Sequence, residues 1–481
     1  MADFASTLFP LDTTQVLVTH FPDALSEFVD NCLNQDVRVE FPSQQRCYAA
    51  KHELFLRRTV KLDPAAEWFL YDVVYRNRNS FRNDHRSTRK SFGYRFDGGR
   101  PEPASIAYGA FKFAVFMAEV SHEHTLCTDV ATYFNAIYHH DITKMVRNLG
   151  WPDADSTALG KFLRHINAGR SQDCLPHGLH PSKVLGAEFL RFVDDSASLK
   201  SARIVRFMDD IHLFDDSRET LHTDLLTLQE LLGQRGLSLN TAKTHEDSAC
   251  SPEIADEIRE IKAGLLKARR RTIAGRYADD GSSDGDDEEL TQEEIDFLLK
   301  LISSTDVEEA DAELVLVLLR DQGEEVLPHM LRHLSRFPGL SKNLYTFVRF
   351  SEPLPDLDAR LLEHLRWKAP ATEFQLFWLT KIATDFLRDS ARLGEILITA
   401  YQHPNATALT KAKVLEVPED RFGLPDLRNE QLRSGGSNWL AWAAAAGARD
   451  EDPASRNHLF KYFRNASPMN ELVSRCISQL R

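Results

Sequence analysis

The chain has 481 residues, a mass of 54.7 kDa and a formal net charge of −14 at pH 7. With 42% hydrophobic and 27% charged residues it has a globular mix, which excludes a wholly disordered chain or a collagen-like fibre. The length allows two or three domains, and the acidic balance argues against a general nucleic-acid coat.

No run of about 18 apolar residues occurs, so no membrane span is expected. Residues 1–19 carry Asp3 and Asp12 and no Lys or Arg, so no secretory leader is expected. The six cysteines (Cys32, Cys47, Cys127, Cys174, Cys250, Cys476) include no CxxC. That spacing points to neither a zinc site nor a disulfide framework, and a reducing cytoplasm fits it best.

In chain order, the first marked segment is basic. Arg76, Arg78, Arg82, Arg86, Arg89, Lys90, Arg95 and Arg100 face only Asp84 and Asp97. Aromatics Tyr75, Phe81, Phe92, Tyr94 and Phe96 are interleaved with them. Cations suit phosphate and rings suit base stacking, although an ordinary basic surface loop has the same composition. Residues 126–130 then read as a short buried strand ending on Asp129, followed by a turn into a helix through His140. Residues 202–214 read as a hairpin whose apolar strands flank an Asp209-Asp210 turn. His122, Glu123, His124, His139 and His140 crowd this region, but their spacing lacks the further ligands of a zinc site. Lys267, Arg269, Arg270 and Arg271 stud a predicted helix, read either as a DNA-tracking face or as a solvated one.

Ten acidic residues and no basic one lie between Asp279 and Asp296, a run whose self-repulsion predicts a solvated linker. Beyond it, apolar residues recur at helical spacing, as in Ile295, Leu298, Leu299 and Ile302. Prolines from Pro328 to Pro425 punctuate the pattern, predicting helices of about 10–18 residues in antiparallel pairs. A helical-repeat stack and a plain bundle both fit. The expected domains are therefore an α+β region at 1–272, a basic-to-acidic flexible linker at 273–290 and an α-helical domain (HEAT-like or bundle) at 291–481.

A strand-terminal Asp and a hairpin Asp pair can converge at one sheet edge. Such hard oxygen ligands suit Mg²⁺, and two ions about 3.5–4 Å apart serve an in-line phosphoryl transfer. An adjacent Asp pair is also common in a solvated Asx turn.

These segments resemble the palm of reverse transcriptases. Asp129 with Phe134 resembles motif A, residues 174–182 motif B, Phe207-Met208-Asp209-Asp210 the motif C box, and residues 236–244 motif D. The resemblance implies an α+β fold with reverse-transcriptase-like palm and fingers, followed by an all-α helical-repeat domain. It implies that Asp129, Asp209 and Asp210 hold two Mg²⁺ (Mn²⁺ as substitute), with Asp210 the weaker ligand. Phe134 then screens the sugar 2′-carbon and favours dNTPs, and Lys243 protonates the departing pyrophosphate. Motif B departs from the common pattern: Cys174 replaces the usual glycine and His177 the usual Gln, so His177 is expected at the sugar or triphosphate. Lys90, Arg95 and Arg89 are triphosphate candidates from the basic segment.

The layout of palm plus about 190 helical residues resembles the abortive-infection polymerases and related bacterial defence-associated reverse transcriptases. Motif A through His139-His140, motif B without Gln, and the segments 438–443 and 457–463 fit that branch. Its members imply an antiphage DNA polymerase, protein-primed from a Tyr hydroxyl, template-independent and homo-oligomeric, with single-stranded DNA attached as product. The priming tyrosine is not identified; Tyr48 and Tyr277 are candidates, whereas Tyr133 and Tyr138 are held by motif A. Two alternatives stay open: an RNA-templated enzyme copying a partner non-coding RNA, and a catalytically silent nucleic-acid-binding scaffold.

Overall fold

The computed structural model describes residues 4–34, 36–81, 88–170, 175–246, 290–366 and 371–480. Cys174, Arg82, Arg86, Tyr277, the basic residues 267–271 and the acidic run from Asp279 through Glu289 lie outside them. Packing divides the described residues into two compact units, 66–246 and 4–65 with 290–480. This differs from the expected boundary, which grouped residues 1–65 with the α+β region. Among the described residues no helix is long and apolar enough to cross a membrane.

The helical unit begins with α1 (Asp12–His20), α2 (Pro22–Leu33) and the antiparallel hairpin β1 (Gln45–His52) and β2 (Phe55–Lys61). It resumes with residues 290–480 after the sheet unit.

The sheet unit opens with α3 (Pro64–Arg76), then β3 (Arg89–Phe92), a small hairpin of β4 (Phe96–Asp97) and β5 (Arg100–Pro101), and α4 (Ala104–Ser121). Next come β6 (His124–Asp129), α5 (Tyr133–Ala136), α6 (His139–Asn148), α7 (Asp153–Ile166), α8 (His180–Phe189) and α9 (Arg191–Asp194). The hairpin β7 (Arg203–Phe207) and β8 (Asp210–Asp215), α10 (Arg218–Gly233) and β9 (His245–Glu246) complete it. The sheet order is β3-β7-β8-β6-β9, with β3 parallel to β7 and the other pairings antiparallel. Strand side chains alternate faces, so Val205, Phe207 and Phe214 share one face. That face packs on Phe111, Ala114, Val115 and Ala118 of α4.

The helices beyond the linker are α11 (Gln292–Ser303), α12 (Glu309–Leu318), α13 (Gly323–His333), α14 (Leu340–Phe350), α15 (Leu357–Arg366) and α16 (Glu373–Phe386). They continue with α17 (Leu393–Gln402), α18 (Ala408–Leu415), α19 (Leu424–Arg433), α20 (Trp439–Gly447), α21 (Pro453–Phe463) and α22 (Pro468–Ile477). A capping box of Thr291 and Glu294 starts the series. Each helix of the row α12, α14, α16, α18, α20, α22 packs on the next in that row, a stack of alternate helices. Pro328 sits inside α13 rather than ending it. Burial of Val326, Leu327, Met330 and Leu331 offsets the cost of about 3 kcal/mol for an interior proline.

The N-terminal segment covers the even-numbered row: α1 meets α20, α2 meets α22 and β1 meets α16. Lys413 is fully buried between Asp12 and Glu416, with Nζ 3.0 Å from each carboxylate. Glu416 also accepts from the backbone N–H and hydroxyl of Thr13, at 2.8 and 2.9 Å. Burial opposes the Lys413 charge, but the two carboxylates outweigh it and hold the amine above its usual range. These partners are some 400 residues apart in sequence, which explains why periodicity did not place residues 1–65 here. Replacing Lys413 by Met leaves buried Glu416 without its counter-charge. A loss of about 3–5 kcal/mol is expected for this unit, read as a lowered urea midpoint of the full chain.

Candidate active site

The hairpin turn is Met208-Asp209, closed by the Phe207–Asp210 pair, so Asp210 is already the first residue of β8. The expected Asp-Asp turn is thus shifted by one residue. Met208 has φ 55°, in the left-handed region that costs a non-glycine residue about 1–2 kcal/mol. Its carbonyl accepts a 2.8 Å hydrogen bond from Arg206 Nη1, which fixes the turn.

β6 pairs with β8 so that Asp129 stands directly across from Asp210. Val130 N–H donates to the Asp209 carbonyl at 3.3 Å. On the other side of β6, Asn240 N–H donates to the Asp129 carbonyl and Ala131 N–H to the Ser238 carbonyl, both at 2.8 Å. The Thr128 and Thr244 hydroxyls add a 2.7 Å bond. The 236–244 segment is thereby pinned along the strand that ends on Asp129.

Asp129 is 7% exposed. Its Oδ2 accepts from Lys243 Nζ at 2.6 Å, and its Oδ1 is buried with no hydrogen-bond partner. The bond to Asp129, reinforced by the charges of Asp129, Asp210 and Asp209, raises the Lys243 amine against the effect of burial. Burial, helped by the Asp129 charge, raises the Asp210 carboxyl, with Lys243 and Lys112 opposing. Among the described residues no three His, Cys, Asp or Glu side chains converge as a closed metal-binding group. The donors nevertheless suit Mg²⁺ in kind: hard carboxylate oxygens, one of them buried and unpartnered, beside groups that disfavour uncompensated negative charge.

Phe134 lies edge-on to the His177 ring, with centroids 4.7 Å apart. The Phe134 carbonyl accepts from Leu175 N–H at 2.9 Å, tying the two motifs together. Behind the ring is Gly186 of α8, where an added Cβ would lie 3.1 Å from two Phe134 ring carbons. Tyr133 is buried, and its hydroxyl donates to the Gly186 carbonyl at 2.6 Å.

Lys90 sits on edge strand β3 across from Val205, two residues before Phe92, whose carbonyl accepts from Met208 N–H. Arg89 donates to the carbonyls of Leu199 and Ser201, both at 3.0 Å. The Arg95 guanidinium bonds the Ser91 carbonyl and hydroxyl, and burial lowers its pKa. The aromatics of the basic segment are mostly packing groups. Phe81 packs on Trp151, Phe92 on Phe111, Tyr94 and Phe96 on His180. Asp129, Asp210 and Lys243 therefore come together, with Asp209 on the adjoining turn and Phe134 paired with His177. Lys90 and Arg95 are placed on the β3 side of the sheet.

Sequence reading missed Arg206. It is 1% exposed, its Nε bonds Asp194 at 2.9 Å and its Nη2 bonds the other Asp194 oxygen. Nη1 also donates to the Ala187 carbonyl of α8 at 3.1 Å. Burial works against the charge, yet the Asp194 pair raises the guanidinium further. The available signal was a lone Arg inside the apolar run Ile204-Val205-Arg206-Phe207, since an unpaired charge is almost never buried.

Residues 85–298 match the family model described as reverse transcriptase (RNA-dependent DNA polymerase). The match covers under half of the chain and takes in all five strands of the sheet and every residue discussed above from Arg89 to Lys243. It supports the reverse-transcriptase superfamily for this segment. A comparison with curated proteins finds no match. A solved telomerase from Candida albicans, in complex with a fragment of telomeric RNA, is 11% identical, with a TM-score of 0.28. The alignment covers 78% of this chain and 64% of that one, and a likeness at this score bears on neither fold nor activity.

Two outcomes are expected from this geometry. Arg206→Met leaves Asp194 without its counter-charge and should lower stability by about 3–5 kcal/mol in urea denaturation. Burial also pushes His139 and His212 down to about 4, so both stay neutral in the fold where the unfolded chain protonates them. Stability should then fall as pH drops from about 6.5 towards 4, by about 1 kcal/mol per pH unit for each ring. His212→Phe should flatten that slope, measured as urea midpoints at pH 7 and pH 5.

Proposed function

We propose that the sheet unit is a DNA polymerase of the reverse-transcriptase superfamily, adding dNTPs to a hydroxyl. The observation that carries this reading is the Asp129–Asp210 register, with Asp209 on the adjoining turn and Lys243 bound to Asp129. The family match over residues 85–298 supports it independently.

Asp129 and Asp209 would hold the Mg²⁺ ions, with Asp210 as the weaker ligand. Bound there, the ions would lower the pKa of the attacking hydroxyl and neutralise charge on the phosphates. The hydroxyl gives up its proton to solvent, and its oxygen bonds to the α-phosphorus as the bond to pyrophosphate breaks. Lys243 then supplies a proton to the departing pyrophosphate, a role suited to an amine kept protonated by its carboxylate neighbours. Phe134, backed by Gly186 and flanked by His177, presents a rigid ring against the sugar 2′-carbon and excludes a ribose hydroxyl. His177 lines that sugar pocket, and Lys90 and Arg95 serve the triphosphate from the β3 side.

The finer reading is an antiphage-defence enzyme that primes on its own tyrosine and needs no template. His177 in the place of the usual Gln supports loose or absent templating. The family model's RNA-dependent description favours a second reading, copying of a partner RNA. Purified protein with Mg²⁺ and labelled dNTPs, without primer or template, separates them. Protease-sensitive label on the protein supports protein priming. Activity only with added RNA and primer supports the templated reading, and silence under both overturns the polymerase assignment. Asp209→Ala should reduce incorporation by about 100-fold or more. Phe134→Ala should raise NTP use relative to dNTP, read as the ratio of the two kcat/KM values.

A further inference from the structure

A cavity of about 660 Å³ opens between α6, the joint of α8 and α9, and the residues that follow α10, all within the sheet unit. Neither Asp129, Asp209 nor Asp210 lines it. Its volume lies in the range of about 300–1,000 Å³ usual for small-ligand sites. Three cations and two carboxylates face it. Glu188 and Asp195 are both engaged by Arg191, at 2.9 and 3.4 Å. Lys144 and Arg235 form no ion pair among the described residues. The Arg235 guanidinium instead lies over the Phe192 ring, 4.7 Å from its centroid. Phe189 meets that ring edge-on, with centroids 6.3 Å apart. Asn148, one turn beyond Lys144 on α6, adds an exposed amide.

We propose that this cavity is a ligand site separate from the carboxylate centre, and that it takes a nucleoside monophosphate. Charge selects the phosphate. Both carboxylates are already satisfied by Arg191, so Lys144 and Arg235 are left to hold an anion through charge-assisted hydrogen bonds. The aromatic wall selects a flat base. A guanidinium held on one ring can stack on a second π-system with its other face, and Phe189 and Phe192 supply apolar surface beside it. The Asn148 amide offers a base edge both a donor and an acceptor. A bare phosphate would leave the aromatic wall in water, and a hydrocarbon would leave both cations unused. The walls of this cavity also adjoin the supports of the candidate active site. Asp194 at the end of α9 and the Ala187 carbonyl of α8 hold Arg206, and Arg235 directly precedes the 236–244 segment that clasps β6. A nucleotide bound here bridges those supports. The inference stands apart from the polymerase reading, because it rests on the cavity and not on the carboxylates.

The test is calorimetric titration of the full-length chain with AMP, with divalent metal removed by EDTA. One saturable site is expected. Lys144→Ala with Arg235→Ala should weaken AMP about 10-fold or more, the loss of two charge-assisted contacts, while leaving the circular dichroism spectrum unchanged. Asp209→Ala should bind AMP as the wild type does. Adenosine and inorganic phosphate, titrated singly, should each bind about 10-fold or more weakly than AMP, since each fills half of the site. A wild type without saturable AMP binding overturns the proposal. So does binding that survives the double substitution, or adenosine or inorganic phosphate that matches AMP. A chain that binds AMP in this way but incorporates no dNTP keeps the site and sinks only the polymerase reading.

Discussion

The site depends on the register of one strand pair. Because side chains alternate across a strand, Asp129 and Asp210 share a face only when β6 and β8 pair as they do. A slip of one residue would turn Asp129 to the opposite face. The register is held from both sides. The apolar residues of β7 and β8 must meet α4, and the 236–244 segment clasps the far edge of β6 through the Asp129 and Asn240 backbones. Lys243 reaches Asp129 because the segment that carries it is already bonded there.

The turn bearing Asp209 needs separate support, since its first residue occupies a region unfavourable to methionine. Arg206 provides that support from inside the core. Its side chain links the Met208 carbonyl to α8 and α9 through Ala187 and Asp194. The same helix α8 lies behind Phe134 at Gly186, where only hydrogen fits comfortably. One helix therefore backs both the carboxylate turn and the Phe134 ring that meets His177. A buried ion pair is a costly anchor, and its value here is geometric: it aligns two segments far apart in sequence.

The helical unit uses a comparable anchor for another purpose. Lys413 and Glu416, both fully buried, hold α1 against α18 and close the chain's first residues onto its last third. The stacked helices alone would expose an apolar row, including the Ala443–Ala446 stretch of α20. The N-terminal segment meets that row, and these alanines are fully buried.

Local pattern was enough to mark the strand ending on Asp129, the hairpin around Asp209 and the helical run after the linker. Each rests on near-neighbour periodicity, whereas Phe134 and Lys243 were singled out only through the resemblance of their segments to reverse-transcriptase motifs A and D. The one-residue offset of the turn was not legible, because strand pairing, not the Asp pair itself, decides where β8 begins. Nor was the packing of Tyr94 and Phe96 against His180, since aromatics among cations look alike whether they face solvent or core. Arg206, Asp194 and Gly186 owe their roles to contacts across helices, and the Asp12–Lys413–Glu416 lock joins residues some 400 positions apart. The sequence by itself marked which residues have suitable chemistry, such as the carboxylates Asp129, Asp209 and Asp210, and the approximate local element that carries each. Only the tertiary structure decided which of them meet, because burial and long-range pairing depend on partners that local periodicity does not encode.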